Sequence, residues 1–89
     1  MANDLSGPVW YVDTAATLVT RRVVLKGVQW VSESASAGDN VEIRDGSQRR
    51  VWASVAAGSN HKEADHMEVP CQGLIVLTLN SGFLLLDID

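Results

Sequence analysis

The last sixteen residues, LIVLTLNSGFLLLDID from Leu74 to Asp89, carry ten large aliphatic or aromatic side chains. A strand with one face on a core and one in water alternates apolar with polar residues. Leu74 to Leu79 reads L-I-V-L-T-L and Phe83 to Leu86 reads F-L-L-L, so neither alternates. Asn80-Ser81-Gly82 between them is a tight-turn sequence. If Leu74, Val76 and Thr78 face inward, then Ile75, Leu77 and Leu79 face outward; Phe83 and Leu85 likewise oppose Leu84, Leu86 and Ile88. Each large side chain left in water forfeits about 1.5–3 kcal/mol. The second surface of this hairpin needs a cover, from the chain itself or from another molecule.

A chain of 89 residues holds one domain, and folding at that size buries only a little over ~60% of the unfolded surface. Cys71 is the single cysteine, so an internal disulfide is excluded. The connecting loops are short and built of small residues, and a second subunit is the better cover for the outward leucines. Eleven acidic against seven basic residues give a net charge of −4, which argues against general binding to nucleic-acid phosphates. No apolar run approaches the roughly 18–20 residues of a membrane span, and MANDLSGPVW lacks the regions of a signal peptide. With one cysteine, the expectation is synthesis in the cytoplasm without export.

Residues 1–8 form a polar arm closed by Gly7-Pro8, and residues 9–89 a single β domain. Val9 to Val12 reads as a strand between Pro8 and Asp13. Thr17 to Ser32 is the longest β-like stretch: Val23 and Leu25 share a face, whereas Val28 and Trp30 fall out of phase with them. A bulge at Gly27 restores the phase and turns Trp30 to the core. Ser34 to Asn40 is a small-residue loop. Val41 to Arg44 alternates, Asp45-Gly46 signals a hairpin, and Arg49 to Ala56 returns. Ala64 to Val69 is a candidate strand, Pro70 to Gly73 a turn, Leu74 to Leu79 and Phe83 to Ile88 the last two strands. No helical periodicity competes. Six to seven strands with turns at about 8- to 12-residue spacing predict an antiparallel β-sandwich or small barrel, jelly-roll-like.

Sites for chemistry are sparse. His61, His66 and Cys71 have the spacing H-x4-H-x4-C, which is not a recognised zinc pattern; two surface histidines and one buried small hydrophobe are the simpler reading. Glu63/Asp65 and Asp87/Asp89 each share a strand face, but so short a chain has little material for the cleft that paired-carboxylate catalysis requires. Solvated edge charges are the simpler explanation, and they discourage edge-to-edge pairing. Each of the doublets Arg21-Arg22 and Arg49-Arg50 is split across two strand faces, so neither makes a patch. No nucleophile triad or phosphate loop is present. The chain reads as non-enzymatic, with no cofactor. Trp10 and Trp30 suit a core, while Trp52 lies either at an interface or under a neighbouring strand.

The segments "LSGPVWYVDTAATLVTRRVVLKGVQWV", "VEIRDGSQRRVWAS" and "GLIVLTLNSGFLLLDID" resemble small all-β structural proteins of tailed bacteriophages, of the capsid decoration or cement kind. The resemblance implies a virion protein on the capsid exterior, a homo-oligomer with a trimer favoured, whose partner is the major capsid protein. It implies that the arm at residues 1–8 reaches a neighbour, adding a strand by β-augmentation. Leu5 on the arm, with Trp52, Ile75, Leu77, Leu79, Phe83 and Leu85, is the expected interface set. Rival expectations are a phage neck, tail or fibre component, a glycan-binding barrel stacking sugars on Trp10, Trp30 or Trp52, and a cupin-like metal protein using His61 and His66.

Overall fold

A computed structural model describes residues 3–89. Six strands form one open antiparallel sheet: β1 (Val9–Val12), β2 (Ala16–Ser32), β3 (Asn40–Arg44), β4 (Arg50–Val55), β5 (His61–Leu79) and β6 (Phe83–Ile88), in the order β1-β6-β2-β5-β3-β4. The described residues contain no helix. First pairs with last, second with fifth and third with fourth, so the chain is a long hairpin folded into a nested set of ladders.

β2 and β5 decide the shape. Nineteen extended residues would span about 63 Å, yet the longest dimension of the molecule is 34 Å. The two strands therefore coil, and bulges supply the bending. The shift at Gly27 occurs in both ladders of β2, to β5 and to β6, as the change of phase predicts. Val23 and Leu25 before it and Val28 and Trp30 after it are all buried. The N-terminal half of β2 pairs with the C-terminal half of β5, which also carries β3 and β4; the C-terminal half of β2 pairs with the first half of β5 and with β6. Coiling turns the inner faces of both ends toward one core containing Trp10, Leu25, Trp30, Ile43, Leu74 and Leu84.

The turn expected at Pro70 to Gly73 does not form, and the two strands predicted there are one continuous β5. Proline survives inside it because of the register. Val24 exchanges backbone hydrogen bonds with Asp89 on its far side, so the Val24–Pro70 pair makes none across the β2–β5 ladder. The missing N–H of Pro70 therefore points to the open edge, where proline is tolerated, and its carbonyl accepts from the Arg49 guanidinium. Gly73 then bends the strand with φ +86° over the Val19–Thr20 backbone.

Two turns are held by side chains. Asp45, 2% exposed, accepts hydrogen bonds from the Ser47 hydroxyl and from the amides of Ser47 and Arg49, while the Arg49 guanidinium lies 3.1 Å from its other oxygen. These bonds, the Ser47 hydroxyl foremost, keep its carboxyl below the ordinary carboxylate range. At Asn80-Ser81-Gly82 the Trp30 indole N–H donates to the Ser81 carbonyl, and the Ser32 and Ser81 hydroxyls are 2.7 Å apart.

Candidate functional site

Every expected interface residue has a definite place, and the structure separates them into three groups. Leu5 and Trp52 are used inside the chain. Asp4 pairs with Tyr11 through two backbone hydrogen bonds, and the Asn3 side chain bonds the Asp13 and Thr14 backbone, so residues 3–6 lie back along β1. Leu5 packs against the core in this position. Met1 and Ala2 of the expected arm lie outside the described residues. Trp52 is 8% exposed, covered by the first half of β5.

That cover is a polar seam. Glu63 is paired in register with Trp30, and Asp65 with Val28, which places both acids on the inner face of β5. Trp52 and Ser54 reach them from β4, although the two strands share no ladder. The Trp52 indole N–H donates to Asp65 at 2.7 Å; the Ser54 hydroxyl donates to Glu63, which also bonds His61 at 3.0 Å. His61 in turn leans on the Trp30 ring, centroids 4.6 Å apart. The seam joins β4, one edge of the sheet, to the first half of β5, beyond the reach of the β3 ladder, through side chains instead of backbone.

The three candidate metal-ligating side chains are not brought together. His61 faces inward, His66 faces outward from the same strand, and Cys71 is buried, its thiol donating to the Val69 carbonyl. Burial pushes that thiol above its ordinary pKa, with the Asp45 charge adding to the effect. Among the described residues no group of three His, Cys, Asp or Glu side chains could hold a metal ion. All three tryptophans are at most 8% exposed, so no indole face is open for stacking a sugar.

Two outward surfaces remain. Ile75 and Leu77 lie on the C-terminal half of β5, where Leu77 is 46% exposed; Leu79, half-buried, packs against the core at the end of that strand. Phe83 and Leu85 lie on β6 at the other end of the sheet. Outward Val51 and Val55 of β4 adjoin the first surface, and residues of β1 and β2 extend the second. Val9 and Tyr11 alternate with buried Trp10 and Val12 on β1, and Val31 follows buried Trp30 on β2, so all three face the same way as Phe83 and Leu85. Tyr11 stacks on Phe83 with centroids 5.1 Å apart, and Val9 is 50% exposed. A groove of about 210 Å³ crosses this face at Gly27, between Asp87 and His66. Val9, Tyr11, Val31 and the glycine notch are absent from the expected interface set. The alternation of V-W-Y-V, carried through the phase change at Gly27, is the signal that would have found them.

The outward face of β1, β6, β2 and the first half of β5 is therefore an apolar surface bordered by Asp87 on β6 and Asp89 just after it, Lys26 on β2, and Lys62, His66 and Glu68 on β5. No protein-family model, no curated protein and no solved structure matches the chain.

Proposed function

We propose that the chain is a non-enzymatic structural protein of a virus particle, a capsid decoration or cement protein that stabilises a shell by oligomeric contacts with the major capsid protein. The observation that carries this reading is the outward face of Val9, Tyr11, Val31, Phe83 and Leu85, five large side chains that the chain itself leaves half-buried or exposed. Contiguous apolar surface of this kind marks an interaction site. A multivalent scaffold needs no pocket and no reactive group, since simultaneous weak contacts raise the effective concentration of each. The arm, docked on β1 through residues 3–6, adds a short strand at the edge and leaves the broad face for contact. The finer architecture we assign to the coiled sheet is a jelly-roll-like sandwich, a reading supported by the nested pairing of first strand with last, second with fifth and third with fourth.

On this reading the protein is made in the host cytoplasm, assembles as two or three copies, and acts on the capsid exterior. The test is incubation with empty shells of the particle that carries the gene, followed by sedimentation. Saturable co-sedimentation, together with a higher temperature of shell disruption, is the expected result. Protein that stays in the supernatant at every ratio tried refutes the proposal.

A further inference from the structure

The outward face has an internal order that its apolarity alone does not require. Ladder registers arrange it in rows running across the strands. One row is Val9, Asp87, Gly27 and His66; the next is Tyr11, Leu85, Gln29 and Ala64; the third holds Phe83, Val31 and Lys62. Large and acidic groups stand on the β1–β6 side of each row. Gly27, Gln29, Ala64, His66 and Lys62 stand on the β2–β5 side, with Val31 the one large apolar group among them. The two halves of the face are thus complementary in size and in charge to each other, although within one chain they lie side by side and cannot meet.

We propose that this face joins two copies of the chain, related by a twofold axis running parallel to the strands between β6 and β2. The proposal rests on the reading above that the chain works as an oligomer, and it commits that oligomer to an isologous pair. Such an axis keeps each row in place and exchanges its halves. Asp87 of one copy enters the notch over Gly27 of the second, one strand away from the second copy's His66. Tyr11 covers Ala64, Leu85 covers Gln29, and Phe83 meets Val31. The other twofold in the plane of the face, running across the strands, sets His66 opposite Lys62 and presses the Asp87 carboxylate on the Phe83 ring, where it finds no hydrogen-bond donor. Gly27 makes the notch by lacking a side chain: a Cβ there would fill it, lying 3.4 Å from the Asp65 carbonyl oxygen, 3.5 Å from the Asp87 Cβ and 4.0 Å from the His66 ring.

Four strands about 4.8 Å apart and rows spanning five residues of each strand bound a patch of roughly 320 Å² per copy. The total is below the roughly 1,200 Å² at which standard interfaces begin, so the pair dissociates on dilution and gains persistence when many copies are held on one surface.

The experiment uses the whole chain. Sedimentation equilibrium from about 10 μM to about 1 mM is expected to show a monomer–dimer equilibrium that Leu85→Asp weakens at least about tenfold, with the far-UV spectrum of the fold retained. A positive readout accompanies this loss. Tyr11 and Ala64 lie three strands apart in one chain, about 14 Å, too far for an internal disulfide, but face each other across the proposed axis. Under mild oxidation Tyr11→Cys/Ala64→Cys forms a covalent dimer on non-reducing gels, whereas neither single variant does; Cys71 is buried and contributes no background. A trimer, a monomer at every concentration, or a dimer indifferent to Leu85→Asp and refractory to this cross-link overturns the inference. Shell binding by a monomeric or trimeric protein overturns it while sparing the decoration reading, and failure to bind shells by a cross-linkable dimer does the reverse.

Discussion

The turn between β5 and β6 decides which leucines of the final strand face outward, and a comparison of two glycines tests how it does so. Gly82 and Gly38 both have positive φ, +73° and +96°. Around Gly38 there is open space, so Gly38→Ala incurs only the backbone strain of an L-residue in that region, about 1 kcal/mol. At Gly82 a Cβ would lie 2.1 Å from the Val31 carbonyl oxygen and 2.6 Å from the Ser32 side chain. Neither obstacle is the free end of a flexible group, so the turn backbone must move away. Moving it breaks the Trp30 indole bond to the Ser81 carbonyl and the Ser32–Ser81 hydroxyl bond. Each is worth about 1 kcal/mol, and a buried donor left unsatisfied adds about 1–3 kcal/mol. Gly82→Ala should therefore cost about 3–5 kcal/mol, a large share of the roughly 5–13 kcal/mol available to a domain of this length. At about 4–8 °C per kcal/mol, the melting temperature falls by roughly 15 °C or more for Gly82→Ala and by about 5 °C for Gly38→Ala. Urea unfolding followed by tryptophan fluorescence measures both. Equal losses in the two variants would refute the close approach of the turn to β2 and, with it, the register that places Phe83 and Leu85 on the outer face.

Two further perturbations address the parts that hold the coil together. Trp52→Phe keeps an aromatic ring but removes the indole donor to Asp65 across the seam; it should cost about 1–2 kcal/mol, and a second substitution, Asp65→Ala, should then cost little more in a double-mutant cycle read by urea unfolding. Asp45 has a folded-state pKa below its ordinary value of 3.8, so its contribution is complete at neutral pH and is lost as pH falls through the folded value. Asp45→Asn should lower the melting temperature at pH 7 and narrow its gap to the native protein as the solution is acidified, which a series of melts between neutral and acidic pH would check.

Local features were legible where the cause is local. Period-two alternation marks β1, β3 and β4, because each buries one face only. The change of phase between Leu25 and Val28 requires a bulge, and Gly27 is where the chain tolerates it. Asn80-Ser81-Gly82 specifies the last turn, since Gly82 takes a conformation other residues resist. The faces of β6 followed directly, with Leu84, Leu86 and Ile88 buried and Phe83 and Leu85 outward. Pro70 misled because proline is a local stop signal. Its acceptability depends on which edge of β5 faces a partner, and that is a property of the ladder register with β2. Trp52 was equally open from sequence, since nothing within β4 states that Glu63 and Asp65 will arrive opposite it.

From residue order alone come the all-β character, the bulge, the β3–β4 hairpin and the two-sided apolarity of the final strands, because side-chain direction and turn chemistry act over a few residues. The hairpin expected of the last two strands does not form, since β6 crosses over β2 to pair with β1 and β2 while β5 pairs with β2 and β3. Only the tertiary structure decides that six strands make a single coiled sheet, that the coil carries β5 over Trp52, and that Val9, Tyr11, Val31, Phe83 and Leu85 gather on one face around the notch at Gly27. These depend on bringing together strands far apart in the chain. Such pairings are settled by the closure of the whole core, with no short stretch holding enough information to dictate them.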